Sequence, residues 1–305
     1  MAGNAVAKDR VGIAGVGLMG HGIARNLVAK GYKLTALEHP GNRPLDELER
    51  SGARRTASGK ALGAESDIVI LCVTGSPEVE AVLMGDNGVL AGLHEGSVVI
   101  DCSTSVPACT IRMAQAVKAA GCGFIDAPMT RTAQHAHEGR LQLLAGGDAR
   151  VLARVGPVLE CFAESIVHAG PVGAGHTLKL LHNFVSLGTA AVIAEAAACA
   201  SRAGIDPHLL VDVLSGGGGG GVALDRMKPY IVNRDPSALP FYMSNALKDL
   251  RYYVEMASGQ QAFHKIADSI AAALTVGVED AGPKALLPEL VSLLAGRGCV
   301  PQVAD

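Results

Sequence analysis

Val11-Gly12-Ile13-Ala14-Gly15-Val16-Gly17-Leu18-Met19-Gly20 lies near the start of the chain and decides how the rest is read. The β-branched run from Val11 to Ala14 reads as a strand, and Met19, Ile23 and Leu27 then recur at helical spacing as the inner face of a helix. Between them Gly15, Gly17 and Gly20 form G-x-G-x-x-G, and each has a mechanical task. Gly15 allows the tight turn, Gly17 lets a pyrophosphate approach the backbone at the helix N-terminus, and Gly20 lets helix and strand pack closely. Gly15, Gly17, Leu18, Met19 and Gly20 are therefore expected to bind a dinucleotide. The second strand, Lys33 to Leu37, runs out at Glu38, where such a fold meets the adenosine ribose. A carboxylate there accepts hydrogen bonds from the ribose hydroxyls and repels a 2'-phosphate, so Glu38 favours NAD over NADP, with Arg43 nearby as the group that would soften the preference.

Outward from this stretch, short β-branched runs alternate with amphipathic segments. Strands are expected at 11–14, 33–37, 67–73, 97–101, 123–126 and 166–168. That is the βαβ signature of a parallel sheet covered on both faces. From Gly173 the strand pattern stops, and apolar residues recur at helical spacing through 178–203, 207–214, 245–257, 262–273 and 284–294. The expected fold is α/β: a doubly wound Rossmann sheet binding NAD over residues 1–171, then an all-α domain for substrate and oligomerisation over 172–305. The run Gly216 to Gly221 reads as a flexible loop.

With 305 residues, 49% of them hydrophobic and 18% charged, the chain can bury a substantial core. A net charge of -3 leaves no basic excess for a phosphate backbone, and 3% aromatic residues leave few stacking platforms, so no nucleic-acid partner is expected. Seven scattered cysteines without C-x-x-C, and a short polar N-terminus, point to a reduced, cytoplasmic setting. Leu180 to Ala194 is free of Asp, Glu, Lys and Arg but shorter than the roughly 20 residues that span a bilayer, so it reads as a buried helix and no membrane is expected.

Further motifs follow in order: Ala24-Arg25-Asn26-Leu27, Ser103-Thr104, Asp126-Ala127-Pro128, Lys179 through Asn183, and Lys248-Asp249-Leu250. Together with the glycine motif they resemble the successive signatures of the β-hydroxyacid dehydrogenases, typified by 3-hydroxyisobutyrate dehydrogenase. The resemblance spans roughly residues 10 to 295. It implies a long interdomain helix joining the two domains, assembly as a homodimer or homotetramer, and a small anionic hydroxyacid or semialdehyde as substrate. Lys179 and Asn183, four apart on a helix, project from one face. By similarity Lys179 is the catalytic acid and base, able to take the hydroxyl proton when an alcohol loses a hydride to the nicotinamide, and Asn183 holds the substrate. Similarity also places Ser103 at the substrate, Thr104 near the nicotinamide, Val73 and Thr74 on the adenosine-ribose side of the crevice, and Lys248 over the cofactor.

Two stretches depart from the family. His182 stands where Asn is usual and resembles the corresponding residue of 6-phosphogluconate dehydrogenases, either touching substrate or serving as a structural histidine. After Asp126-Ala127-Pro128 most of the family reads Val-Ser-Gly-Gly, whereas this chain has Met129-Thr130-Arg131-Thr132. The Arg-Thr pair is similar to that of sulfolactaldehyde reductases. Thr130, Arg131 and Thr132 are thus expected to bind substrate, with Arg131 gripping its carboxylate, or else a sulfonate or second anion. Besides the hydroxyacid dehydrogenase reading, a reductase of sulfonated or dicarboxylic aldehydes and a catalytically silent dinucleotide-binding protein stay open. His135 and His137 lack a third metal ligand, Cys102 lacks a base at a recognisable spacing, and Arg50, Arg54 and Arg55 read as solvated.

Overall fold

The computed structural model describes residues 8–297. The chain divides into two compact units between Lys179 and Leu180. This packing boundary lies inside a helix, whereas the change of sequence pattern falls at residues 171 and 172.

The first unit holds nine strands: β1 (Arg10–Ala14), β2 (Lys33–Leu37), β3 (Arg54–Thr56), β4 (Ile68–Leu71), β5 (Val98–Asp101), β6 (Gly123–Asp126), β7 (Met129–Thr130), β8 (Leu141–Gly147) and β9 (Ala163–Gly170). Their order is β3-β2-β1-β4-β5-β6-β8-β7, with β9 also paired to β8. The strands from β3 to β6 are parallel, so the sheet is doubly wound about β1, and the order reverses between β1 and β4. Alternation along each strand explains why helices cover both faces. Val11, Ile13, Ile68, Ile70, Val98 and Ile100 enter one apolar cluster, while Ala14, Val69, Leu71 and Val99 enter another on the opposite face.

Three strands escape the sequence reading. β3 is three residues of Arg-Arg-Thr, and β7 is two residues long, both too short to display a period. β8 reads Leu-Gln-Leu-Leu-Ala-Gly-Gly, without the β-branched residues that mark a strand, yet it is buried nearly throughout and pairs with three neighbours. Because β8 runs antiparallel to β6 and β7, the sheet is mixed beyond β6 rather than parallel throughout.

Close backbone approach fixes several glycines. A Cβ on Gly20 would lie 1.9 Å from the Gly15 carbonyl oxygen, and one on Gly22 would lie 2.6 Å from the backbone of Ala136. That second contact lets Asn26, one turn on, donate to the carbonyls of Ala136 and His137 at the end of the helix Ala133–Glu138.

The second unit is helical: Pro207–Gly216, Val222–Asn233, Met243–Gly259, Lys265–Ala281 and Leu290–Gly296 surround the long helix Ala174–Arg202. Its core gathers Leu187, Ala190, Ala194, Met227, Leu250 and Leu274, among others. The helix Val222–Asn233 went unread because Gly216 to Gly221 and Pro229 flank and interrupt its pattern. The glycine run is the join between two helices, and the segment 284–294 divides into a short 3-10 turn, Leu287–Glu289, and the helix Leu290–Gly296. At 29 residues the long helix is, among the described residues, the one long and apolar enough to cross a membrane; 44% of its most apolar window is buried within the protein.

Gly175 supplies a sharp test of this packing. An added Cβ would meet the Leu144 carbonyl oxygen at 2.1 Å and the Asp126 carboxylate at 2.8 Å, backbone and buried charge that cannot give way. Gly175→Ala is expected to cost about 3 kcal/mol or more in denaturant unfolding, whereas Gly156→Ala, which meets nothing within 4 Å, should cost almost nothing.

Candidate active site

The carboxyl ends of β1 and β4 open the crevice where a doubly wound sheet takes its ligand. Gly15, with φ +94, turns the chain so tightly that a Cβ there would lie 2.2 Å from the Cys72 carbonyl oxygen. Gly17 differs: nothing lies within 4 Å of where its Cβ would be. The helix Gly20–Ala29 begins just beyond without a side-chain cap. Open backbone at an uncapped helix N-terminus suits a pyrophosphate, so Gly15, Gly17, Leu18, Met19 and Gly20 fit the diphosphate of a dinucleotide.

Asn42, which the sequence reading passed over, pins this turn. Its Oδ1 accepts from the Val16 N–H at 3.0 Å and its Nδ2 donates to the Leu37 carbonyl at 2.9 Å, while the Arg43 N–H donates to the Val16 carbonyl at 2.9 Å. The loop after β2 is thereby tied to the glycine turn and lines an open hollow of about 360 Å³ with Glu38, His39, Arg43 and Arg55. Arg55 is not simply solvated. It pairs with Glu49 and also reaches Glu38 at 3.5 Å. Glu49 is held below the usual carboxylate range by the Arg55 hydrogen bond, with burial opposing.

At the end of β5 and β6 the side chains are buried. Ser103 is held at three atoms: its N–H donates to Asp101 Oδ1 at 2.9 Å, its Oγ accepts from the Val73 N–H at 3.0 Å, and its carbonyl lies 3.1 Å from His176 Nε2. Thr104 follows it, half-buried, and Thr74 follows Val73 at the end of β4. Asp126 ends β6 and accepts from the backbone N–H groups of Gly173 at 2.8 Å and His176 at 2.9 Å, capping the start of the long helix. Burial pushes the Asp126 carboxyl above its ordinary range, opposed by His176 and those two N–H groups. Cys72 and Cys102 adjoin this cluster, and burial pushes the Cys72 thiol up to about 12 and the Cys102 thiol well above its usual range, which excludes either as a nucleophile at neutral pH.

Arg131 Nη1 donates to the Arg140 carbonyl at 2.6 Å and pairs with Glu164, which ties the part-exposed guanidinium to β9 and the loop before β8. Its backbone keeps a glycine conformation, φ +76, at the position where the resembled family has glycine. Thr130 Oγ1 donates to Gln142 Oε1 at 2.9 Å, and Thr132 Oγ1 lies 2.8 Å from His135 Nδ1.

Lys179 stands on the second turn of the long helix, three residues past His176 and so on the same side. In the second unit, Asn183 is buried, and its Nδ2 donates to Asp249 Oδ2 at 2.7 Å. A carboxylate only accepts, so the Asn183 oxygen must face His182, whose Nδ1 at 2.9 Å must carry the proton. Lys248 Nζ meets Asp249 Oδ1 at 2.9 Å and lies over the Tyr252 ring at 5.0 Å. His182, Asn183, Asp249 and Lys248 thus form one polar chain, and the Asn183 amide, expected at the substrate, has an internal partner at each end.

Comparison with known proteins agrees with this geometry. Residues 10–170 match the family model described as the NAD binding domain of 6-phosphogluconate dehydrogenase, and residues 173–293 match that of the NAD-binding of NADP-dependent 3-hydroxyisobutyrate dehydrogenase. The chain belongs to the β-hydroxyacid dehydrogenase family. It is 32% identical to the 3-hydroxyisobutyrate dehydrogenase of Pseudomonas aeruginosa over 72% of this chain and 74% of that one. It is 33% identical to the 2-hydroxy-3-oxopropionate reductase of Escherichia coli over 68% of this chain and 70% of that one. A Mycobacterium tuberculosis 3-hydroxyisobutyrate dehydrogenase solved with L-serine shares the fold, with TM-score 0.84 and 24% identity over 94% of this chain and 99% of that one. As a member of this family the protein is an oxidoreductase that binds a nicotinamide dinucleotide.

Asn42 and His176 are the site residues that sequence reasoning missed. Asn42 precedes Arg43 in a Gly-Asn-Arg-Pro turn, a signal for a pinned loop, and His176 lies between two motif residues that drew all the notice. Asp249 offers a measurement on the polar chain. Asp249→Ala strands the buried Asn183 amide and should cost about 1 to 3 kcal/mol in chemical denaturation, while Asp249→Asn, which still accepts from Asn183, should cost about 1 kcal/mol or less.

Proposed function

We propose that this family member is an NAD-dependent dehydrogenase, or semialdehyde reductase, of a small β-hydroxyacid, with Lys179 as general acid and base. The observation that carries the reading is the placement of Lys179 one helical turn beyond His176, whose ring touches the carbonyl of Ser103 at 3.1 Å. That spacing supports an amine carried on the same side of the helix as the ring that meets Ser103. When bound, the cofactor supplies the hydride acceptor or donor. In oxidation, the neutral Lys179 amine takes the hydroxyl proton as the carbinol carbon loses its hydride, leaving a carbonyl and an ammonium. In reduction, the ammonium returns that proton to the forming alkoxide. Ser103 orients the substrate, Thr104 stands toward the nicotinamide, and the backbone around Thr130 and Thr132 offers N–H groups to a carboxylate. Within the second unit, Asn183 is held in one orientation by Asp249. Engagement of Arg131 by Glu164 favours an ordinary carboxylate over a sulfonate or second anion. Exposed Leu181, Val185 and Val192 along one side of the long helix support assembly with a second copy of the chain.

Lys179→Ala is expected to lower kcat by at least ~100-fold while NADH affinity changes little. The check is a panel of hydroxyacids and semialdehydes followed by NADH absorbance, with fluorescence titration of NADH; wild-type turnover in the variant at neutral pH would remove the mechanism.

Cofactor choice follows from three charges in one hollow. Glu38 repels a 2'-phosphate and holds Arg55 at 3.5 Å, so NAD is the expected cofactor. Glu38→Ala removes the repulsion and leaves Arg43 and the Glu49-paired Arg55 as the charges facing a 2'-phosphate. The ratio of kcat/KM for NADP over NAD should then rise by at least about tenfold, roughly 1.4 kcal/mol. A wild-type preference for NADP would transfer the decision from Glu38 to the two arginines.

A further inference from the structure

Arg55 stands on β3, and its place in the sheet decides what it can reach. β2 and β3 run parallel with Arg55 paired to Ala36, so the Arg55 side chain leaves the sheet on the same face as Ala36 and, two residues on, Glu38. The Glu38 N–H donates to the Thr56 carbonyl at 2.8 Å, which holds the two strand ends together. Arg54 alternates to the other face and pairs with Glu65 at 3.6 Å. Arg55 Nη1 reaches Glu38 Oε1 only at 3.5 Å, whereas its Nε and Nη2 donate one to each carboxylate oxygen of Glu49.

Glu49 lies outside the lining of the hollow but is held where it draws Arg55 aside. It belongs to the short helix Asp46–Arg50, which Leu45 and Leu48 anchor in the apolar core, and its N–H donates to the Leu45 carbonyl at 2.9 Å. A guanidinium gripped by both oxygens of one carboxylate is bound more firmly than by a single long contact, so Arg55 is the partner of Glu49 first. Two moves are open to an Arg55 without Glu49. It can close on Glu38, which cancels that carboxylate's repulsion and takes up the acceptor for the ribose hydroxyls, or it can turn to a 2'-phosphate beside Arg43, which lines the same hollow. Both favour NADP over NAD.

We propose that Glu49 is a positioning residue for cofactor choice: by gripping Arg55 it keeps the guanidinium off Glu38 and off the 2'-position of the adenosine ribose, and so biases the hollow toward NAD without touching the dinucleotide. The proposal deepens the reading of Glu38 given above and rests on it for the place of the ribose.

The test is fluorescence titration of the full chain with NADH and with NADPH, which needs no substrate, in the wild type, Glu49→Ala, Arg55→Ala and the double variant. Both partners are part-exposed and the pair is worth little as stability, so the fold should survive its loss. In Glu49→Ala the ratio of the two dissociation constants should move toward NADPH by about 3-fold or more, the scale of one part-exposed charge pair. Glu49→Gln, which keeps the shape and loses the charge, should move it the same way. In the Arg55→Ala background, Glu49→Ala should leave the ratio nearly unchanged, because the effect passes through the guanidinium. A residue that merely props the loop would weaken both dinucleotides alike. An unchanged ratio in Glu49→Ala, or a shift of the same size without Arg55, overturns the proposal. A wild type that prefers NADPH, with the Arg55-dependent shift intact, would instead defeat the reading of Glu38 and leave the role of Glu49 standing.

Discussion

The carboxylate of Asp126 is the constraint on which the first unit turns. It sits fully buried at the end of β6, and it accepts from the N–H groups of Gly173 and His176 at the start of the long helix. A carboxylate removed from water is costly unless charge-assisted hydrogen bonds replace the lost solvent, so strand end and helix start are bound to each other. The same closeness dictates composition around it. A Cβ on Gly146 would come within 2.6 Å of Asp126 Oδ1, and one on Gly175 within 2.1 Å of the Leu144 carbonyl oxygen. Gly175 is therefore a packing requirement at this junction, while Gly173, which meets nothing closer than Ile111 at 3.5 Å, is called for by its left-handed φ of +90.

A second arrangement of fixed groups governs the dinucleotide end. Asn42 bridges the Val16 N–H and the Leu37 carbonyl, so the glycine turn and the end of β2 are tied to each other. Within the hollow they frame, Glu38, Arg43 and Arg55 set opposing charges against each other. Arg55 has a stronger claim from Glu49 than from Glu38, which it only reaches at 3.5 Å, so the Glu38 carboxylate is only lightly engaged. The outcome depends on which partner holds Arg55, a competition that the identity of residue 38 alone does not express.

How much of this could be read from sequence depends on the range of each interaction. The glycine turn, β1 and the helix after it are local, and their period and spacing announce them. Most of the helical half is legible for the same reason, since an apolar stripe at 3.6 residues needs no partner to be seen; the helix Val222–Asn233, interrupted by Pro229, is the exception. β8 was not legible, because Leu-Gln-Leu-Leu-Ala-Gly-Gly becomes a strand only through its neighbours β6, β7 and β9. His176 was invisible on similar grounds: the residues that give it meaning, Asp101, Ser103, Thr110 and Asp126, are brought to it by three different elements.

Arg131 shows how a local rule and a tertiary contact can be satisfied together. A left-handed backbone costs a residue with a side chain roughly 1 kcal/mol, which is why glycine suits the position in the resembled motif. Here the side chain that incurs the cost also offsets it, because the guanidinium reaches the Arg140 carbonyl and Glu164 and anchors the loop between β7 and the helix Ala133–Glu138 to β9. Glu164 is held below its usual range by that hydrogen bond first and by the Arg131 charge second, so the pair persists across neutral pH. Both partners are part-exposed, and the pair is worth little as stability alone. Its effect is conformational: the loop keeps the shape a glycine would give it while losing the freedom a glycine would bring.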